Sequence, residues 1–74
     1  MCIEIKVLKE AEEMMKTVKG VEEARALQPN VVDFMTFSTG RDKDIQHIYR
    51  MEQKIMKKFP NILFDFHLKR LDEK

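Results

Sequence analysis

The sequence has few of the residues that stiffen a small protein. It contains one cysteine, no tryptophan, two glycines and two prolines in 74 residues. A single cysteine, Cys2, excludes an internal disulfide, and one cysteine with two scattered histidines excludes a standard four-ligand zinc site. A chain of this length buries only about 60% of the surface that its unfolded form exposes. Self-association is therefore the expected way to bury more surface.

An excess of charge of one sign and long apolar runs are also missing. The 14 basic and 13 acidic residues are well mixed and give a formal net charge of +1, whereas a nucleic-acid-binding domain usually has a basic stripe or a high pI. No apolar run reaches the roughly 18 residues needed to cross a membrane, and the N-terminus has no signal-peptide layout. We expect one cytoplasmic domain over residues 1–74, with no cofactor, no membrane association and no nucleic-acid partner.

Three segments have the composition of β-strands. Residues 2–8 alternate between apolar and polar side chains, as in a half-buried strand. Residues 31–38 are rich in β-branched and aromatic side chains. Residues 62–69 alternate again, which predicts that Ile62 and every second residue after it face the core.

Two segments have the period of amphipathic helices. The first covers residues 9–19 and is expected to end at Gly20, a residue typical of the position after a helix C-terminus. The second covers residues 43–59, with Thr39 or Asp42 as the expected N-cap and Pro60 as the stop.

Residues 21–28 admit two interpretations. They are rich in helix formers and could continue the first helix, or they could form a charged edge strand followed by a turn at Pro29 and Asn30. The edge strand is favoured. It gives the order βαββαβ, a ferredoxin-like two-layer α+β sandwich with both helices on one face of an antiparallel sheet. The alternative is βαβαβ with a three-stranded sheet.

The loop between the strand at residues 31–38 and the second helix is a candidate anion site. Backbone N–H groups at a helix start favour an anion, Ser38 and Thr39 offer hydroxyls, and Gly40 permits close approach. Arg41 offers a planar fork for phosphate or carboxylate. Lys9, at the exit of the expected first strand, would add a second positive charge. An ordinary capped helix start is the competing interpretation, since the P-loop pattern is missing.

Two further features involve polar groups in unusual places. Glu52 falls on the apolar face of the second helix, where a carboxylate must be paired, protonated or at the rim. It could be a general acid or base, although a structural or interfacial role is favoured. Asp65 and His67 point away from the helices, near Glu4 and Lys6 of the expected first strand. They lack a third convincing metal ligand, so charge pairing across strands is favoured over a metal site.

No motif fixes a reaction. Large apolar side chains of residues 31–38 are left on the open face of the sheet under either parity, which indicates an interface. We therefore predict a non-enzymatic binding, regulatory or protein-interaction module that acts as a homo-oligomer or docks on another protein. The alternatives are a small enzyme with an active site between subunits, and a nucleic-acid-binding domain that stacks bases on Phe34 or Phe37.

Overall fold

A computed structural model describes residues 5–27 and 31–71. Within these ranges the elements follow the order αββαβ: α1 (Ile5–Lys16), β1 (Val21–Leu27), β2 (Val32–Ser38), α2 (Asp42–Lys58) and β3 (Phe64–Arg70). The α+β class is confirmed. The edge strand expected in residues 21–28 is also confirmed, and it covers Val21–Leu27. The ferredoxin-like βαββαβ order and the βαβαβ alternative are both wrong, because the described chain opens with a helix. The expected turn at residues 29–30 lies outside the described residues.

Helix α1 occupies much of the segment in which we expected the first strand. It begins at Ile5, so the strand prediction is wrong for residues 5–8, while residues 2–4 lie outside the described ranges. Leu8, Ala11 and Met15 are buried at spacings of three and four residues, and this helical stripe prevails over the short alternation before it. Ile5, which faced inward in the strand interpretation, is 67% exposed.

Helix α1 also ends earlier than the sequence predicts, at Lys16. The β-branched residues Thr17 and Val18 follow, and β-branching lowers helix propensity. The Thr17 hydroxyl donates a hydrogen bond to the Met14 carbonyl at 2.7 Å. The chain then reverses through Gly20, which has a φ of +90°. Gly20 therefore has the positive φ expected of a glycine after a helix, but the prediction that the helix ends at Gly20 is wrong, because residues 17–19 separate it from α1.

Among the described residues the sheet has three strands in the order β1-β2-β3. Strand β1 is antiparallel to β2, and β2 is parallel to β3. Helix α2 therefore connects two adjacent parallel strands, which need such a crossover. Alternate residues of β2 are buried and the intervening ones are more exposed, so one face of the sheet is covered and the other is open. Neither helix within the described ranges has the length and apolarity needed to span a membrane.

The core is centred on Phe34 of β2. Ala11 and Met15 of α1 pack with Ile48 and Ile55 of α2 in the same cluster, which confirms that both helices cover one face. The Phe34 ring lies 5.3 Å from the Phe66 ring between centroids. The inward residues of β3 are only half-buried, whereas those of β2 are fully buried. The helical layer therefore covers the third strand incompletely.

Candidate functional site

The outer edge of β1 is partly blocked by the protein's own side chains. The Ala26 N–H points away from β2 and donates to the Glu12 carboxylate at 2.8 Å. The ladder is also irregular between Val21 and Glu23. An occupied edge N–H and a bulge are both devices that discourage the addition of another strand.

The outer edge of β3 has neither device. The Val32 N–H donates to the Leu63 carbonyl, and the Leu71 N–H donates to the Ser38 carbonyl, both at 2.8 Å. Main-chain groups alternate sides along a strand, so the odd-numbered residues of β3 face β2 and the even-numbered residues face outward. Within residues 5–27 and 31–71, β3 pairs with no strand except β2. The outward N–H and C=O groups belong to Phe64, Phe66, Leu68 and Arg70.

Helix α2 presents a partly apolar side above this edge. The opposite side of α2 meets α1, where the Lys58 ammonium lies 2.7 Å from the Glu10 carboxylate. At 100° per residue, Tyr49 and Glu52 project away from α1, and Tyr49 is 54% exposed. We call this region the β3 flank. Its members are Ile45, Tyr49, Glu52, Met56, Phe64, Phe66 and Leu68.

Glu52 is the one residue of the β3 flank that carries a carboxyl group. It is half-buried, and desolvation by this burial raises the pKa of its carboxyl group. It makes no ion pair or hydrogen bond with the residues that the structure describes. We expected this carboxylate to be paired, protonated or at the rim of the core, and the structure places it at the rim. Because burial disfavours the charged form of this carboxyl group, the protonated form can donate a hydrogen bond. The same half-buried position also allows another molecule to cover the side chain.

The open face carries a cluster of Asp33, Asp65 and His67. The His67 Nε2 atom lies 3.2 Å from the Asp65 carboxylate and 3.4 Å from the Asp33 carboxylate. Asp33 supplies the third group that we did not expect. Its position was readable, because it shares the parity of Asp65 once β2 and β3 are neighbours. Lys6, an expected neighbour, lies on α1, and Glu4 is outside the described residues.

This cluster can act in two ways. One ligand atom from each side chain lies within 4.8 Å of the others, which is close enough for one metal ion. The same contacts arise when a protonated histidine pairs with carboxylates on the neighbouring and the same strand. All three side chains are exposed, and charge pairing accounts for the arrangement without a ligand.

The apolar residues of the open face are partly covered by a charged neighbour. Met35 and Phe37 are half-buried, and the Arg25 guanidinium lies 5.9 Å from the Phe37 ring centroid. Leu63 is 71% exposed at the end of this face. Phe34, which we considered for base stacking, is fully buried under the helices and has no face free for a base.

The candidate anion loop has used most of its donors internally. The Ser38 hydroxyl donates to the Gly20 carbonyl at 3.0 Å and accepts from the Gly40 N–H at 2.9 Å. The Thr39 N–H donates to the same Gly20 carbonyl at 2.9 Å, and the Arg41 N–H donates to the Asp44 carboxylate at 3.1 Å. An anion at this loop would therefore depend on side chains rather than on these three N–H groups.

The start of α2 also differs from the expectation. Its N-cap is Arg41 rather than Thr39 or Asp42, because the Asp44 carboxylate reaches back to the Arg41 N–H, as in half of a capping box. Lys9 does not join this loop. The loop contacts Gly20, after the C-terminal end of α1, and the seven helical steps from Lys9 to Lys16 alone span about 10 Å.

Comparison with models of protein families, with curated proteins and with solved structures finds no match for this chain. Its function must therefore be inferred from its own surfaces. They define a small αββαβ domain with one blocked sheet edge, one open sheet edge and a partly apolar flank beside the open edge.

Proposed function

We propose that this protein is a non-enzymatic interaction module that acts as a homodimer joined at the outer edge of β3. The observation that carries the proposal is the unpaired edge of β3 beside a half-buried apolar row. An edge of this kind is a template for pairing with another strand. The β1 edge, with Glu12 on its outward N–H, is the poorer template.

The proposed contact is antiparallel, with a twofold axis at His67. This is the register in which every residue of Phe64–Arg70 lies opposite a residue of the same strand in the second copy. Opposed residues then have the same parity, so the helices of both copies lie on the same face of one continuous sheet. Phe66 lies opposite Leu68 of the second copy. The outward groups of the even-numbered residues would form about eight main-chain hydrogen bonds, two for each directly bonded pair.

The charges of β3 match themselves in this register. Asp65 lies opposite Lys69 of the second copy, once on each side of the axis. These odd-numbered residues form the pairs without direct hydrogen bonds, in which side chains approach most closely. An axis moved to Leu68 would set His67 opposite Lys69 and would pair fewer residues of the strand. Charge complementarity therefore favours a second copy in the His67 register.

The β3 flank gives this dimer an apolar component. Phe64 and Phe66 stack at 5.4 Å between ring centroids, and both are half-buried in the single chain. In the dimer the flanks of both copies lie on either side of the axis, so each flank covers the other. Burial of apolar surface stabilises the associated state by about 25 cal/mol per Å². Because the core of the single chain is thin, burial of the flanks would add to its stability.

The test is a charge exchange on β3 followed by sedimentation velocity across a range of protein concentrations. Asp65→Lys places lysine opposite lysine twice and is expected to weaken the dimer roughly 4- to 700-fold, because each of the two cross-strand pairs contributes about 0.2–1 kcal/mol and changes sign. The double variant Asp65→Lys with Lys69→Asp restores opposite charges and should restore the dimer. If Asp65→Lys acted only by destabilising the fold, the second substitution would not be expected to restore the dimer.

Glu23→Lys is the matched control. It makes the same change of charge on the open face of the other edge strand, next to Arg25, with which Glu23 forms an ion pair at 2.7 Å. The β3 dimer should survive this change. If Glu23→Lys dissociates the protein and Asp65→Lys does not, the β1 edge is the interface instead. A wild-type protein that remains a monomer of 8.9 kDa at high micromolar concentration contradicts the proposal.

A further inference from the structure

A groove on the far side of α2 from the β3 flank concentrates positive charge. It has a volume of about 420 Å³ and lies between α2 and the segment that follows α1. Val18 and Met51 are its more buried lining residues. Four exposed side chains with basic nitrogen atoms complete it: Lys19, His47, Arg50 and Lys54.

None of the residues that line this groove is acidic. Lys19, Arg50 and Lys54 form no ion pair with the residues that the structure describes. Two lysines of the helices do have acidic partners: Lys16 lies 3.7 Å from Glu13, and Lys58 lies 2.7 Å from Glu10. In a chain with almost equal numbers of acidic and basic residues, this local excess is unusual.

The fold alone explains only part of the cluster. Lys19 follows the C-terminus of α1, where the helix dipole favours a cation. Arg50 and Lys54 lie within α2, four residues apart on one side, and like charges at this spacing destabilise a helix. An anion between them would remove this repulsion.

We infer that the groove binds a phosphate-bearing anion, with inorganic pyrophosphate as the simplest probe. Arg50 offers a planar fork that donates hydrogen bonds to two phosphate oxygens, while Lys19 and Lys54 act as point charges. Lys19 also lines a second depression that contains Arg41, but Asp42 and Asp44 line it too, so the phosphate site is confined to the first groove. The groove lies on the α1 side of α2, and the inference does not depend on the proposed dimer.

Calorimetric titration with pyrophosphate at low ionic strength tests the inference. We expect saturable binding with one site per chain, weakened at least tenfold by Arg50→Ala. Arg50→Lys keeps the charge without the fork and should fall between the wild type and Arg50→Ala. Lys57→Ala is the matched control, because it removes one positive charge from an exposed position on the same helix outside the groove. It should leave the affinity within twofold of the wild type.

Two results would overturn the inference. One is the absence of saturable pyrophosphate binding to the folded wild-type protein. The other is an equal loss of affinity in Lys57→Ala and Arg50→Ala, which would indicate general attraction to a basic surface rather than a site. Circular dichroism of each variant establishes that it is folded, so that a loss of binding reports on the groove.

Discussion

Replacing Gly20 with alanine tests the contact on which the packing of α1 and the start of α2 depends. The two glycines of the chain lie against each other at this point. A Cβ atom added at Gly20 would lie 2.9 Å from the Gly40 Cα atom, and the Gly20 φ is +90°. The substitution therefore introduces a strained backbone conformation and a main-chain clash at the same time.

The two penalties can be estimated separately. A left-handed conformation costs an L-residue about 1–2 kcal/mol, and forcing an extra carbon into a tight contact costs about 1–3 kcal/mol. We therefore expect Gly20→Ala to lower the free energy of unfolding by about 2–5 kcal/mol. A domain of this length has about 4–11 kcal/mol in total, so the variant should fold but unfold much more easily.

The assay is urea unfolding followed by circular dichroism at a fixed protein concentration, since dimerisation would shift the midpoint. With a slope near 1 kcal/mol per molar urea, the midpoint should fall by about 2 M or more. Gly20→Asn separates the two penalties, because asparagine tolerates a positive φ better than alanine but has the same Cβ atom. A midpoint within about 0.3 M of the wild type for Gly20→Ala would refute the close contact.

Three further substitutions test other contacts of the fold. Burial raises the pKa of Glu52, so the ionised carboxylate lowers the stability of the folded protein at pH 7. Glu52→Gln should therefore raise the thermal midpoint at pH 7. The gain should vanish below a pH of about 4, because the Glu52 carboxyl is then protonated in both the folded and the unfolded protein. The buried Thr36 hydroxyl has no hydrogen-bond partner among the described residues, so Thr36→Val should stabilise the protein by about 1–2 kcal/mol in urea unfolding. Glu12→Ala leaves the Ala26 N–H without its acceptor and should cost about 1–3 kcal/mol, with increased aggregation by light scattering.

Much of the sheet could be predicted from the sequence, because each strand has a local signature. The alternation in β3 correctly placed Asp65 and His67 on the open face, and the charged β1 segment was correctly assigned as an edge strand. The error lies at residues 5–8, where a few alternating residues compete with a helical stripe through Leu8, Ala11 and Met15. An alternating segment forms a β-strand only where another strand pairs with it. The sequence does not show which segments become neighbours in the sheet.

The candidate sites were less predictable, because they depend on which elements become neighbours. Helix period alone placed Glu52 on the apolar face of α2, and of the three situations that this position allowed the structure shows the rim of the core. Asp33 was missed because its contact with His67 requires β2 and β3 to be adjacent and parallel. The groove at Arg50 combines residues of α2 with residues of the segment that follows α1, and no spacing in one segment could indicate it.

Amide hydrogen exchange at Phe66 and Leu68 tests the proposed dimer most directly, because their N–H groups point away from β2 and have no strand partner among residues 5–27 and 31–71 of one copy. We predict slow exchange at high protein concentration, faster exchange on dilution, and exchange in Asp65→Lys that is faster than in the wild type at the same concentration. Protection should return in the variant that carries both Asp65→Lys and Lys69→Asp. Fast exchange at both amides in concentrated wild-type protein would contradict pairing through β3.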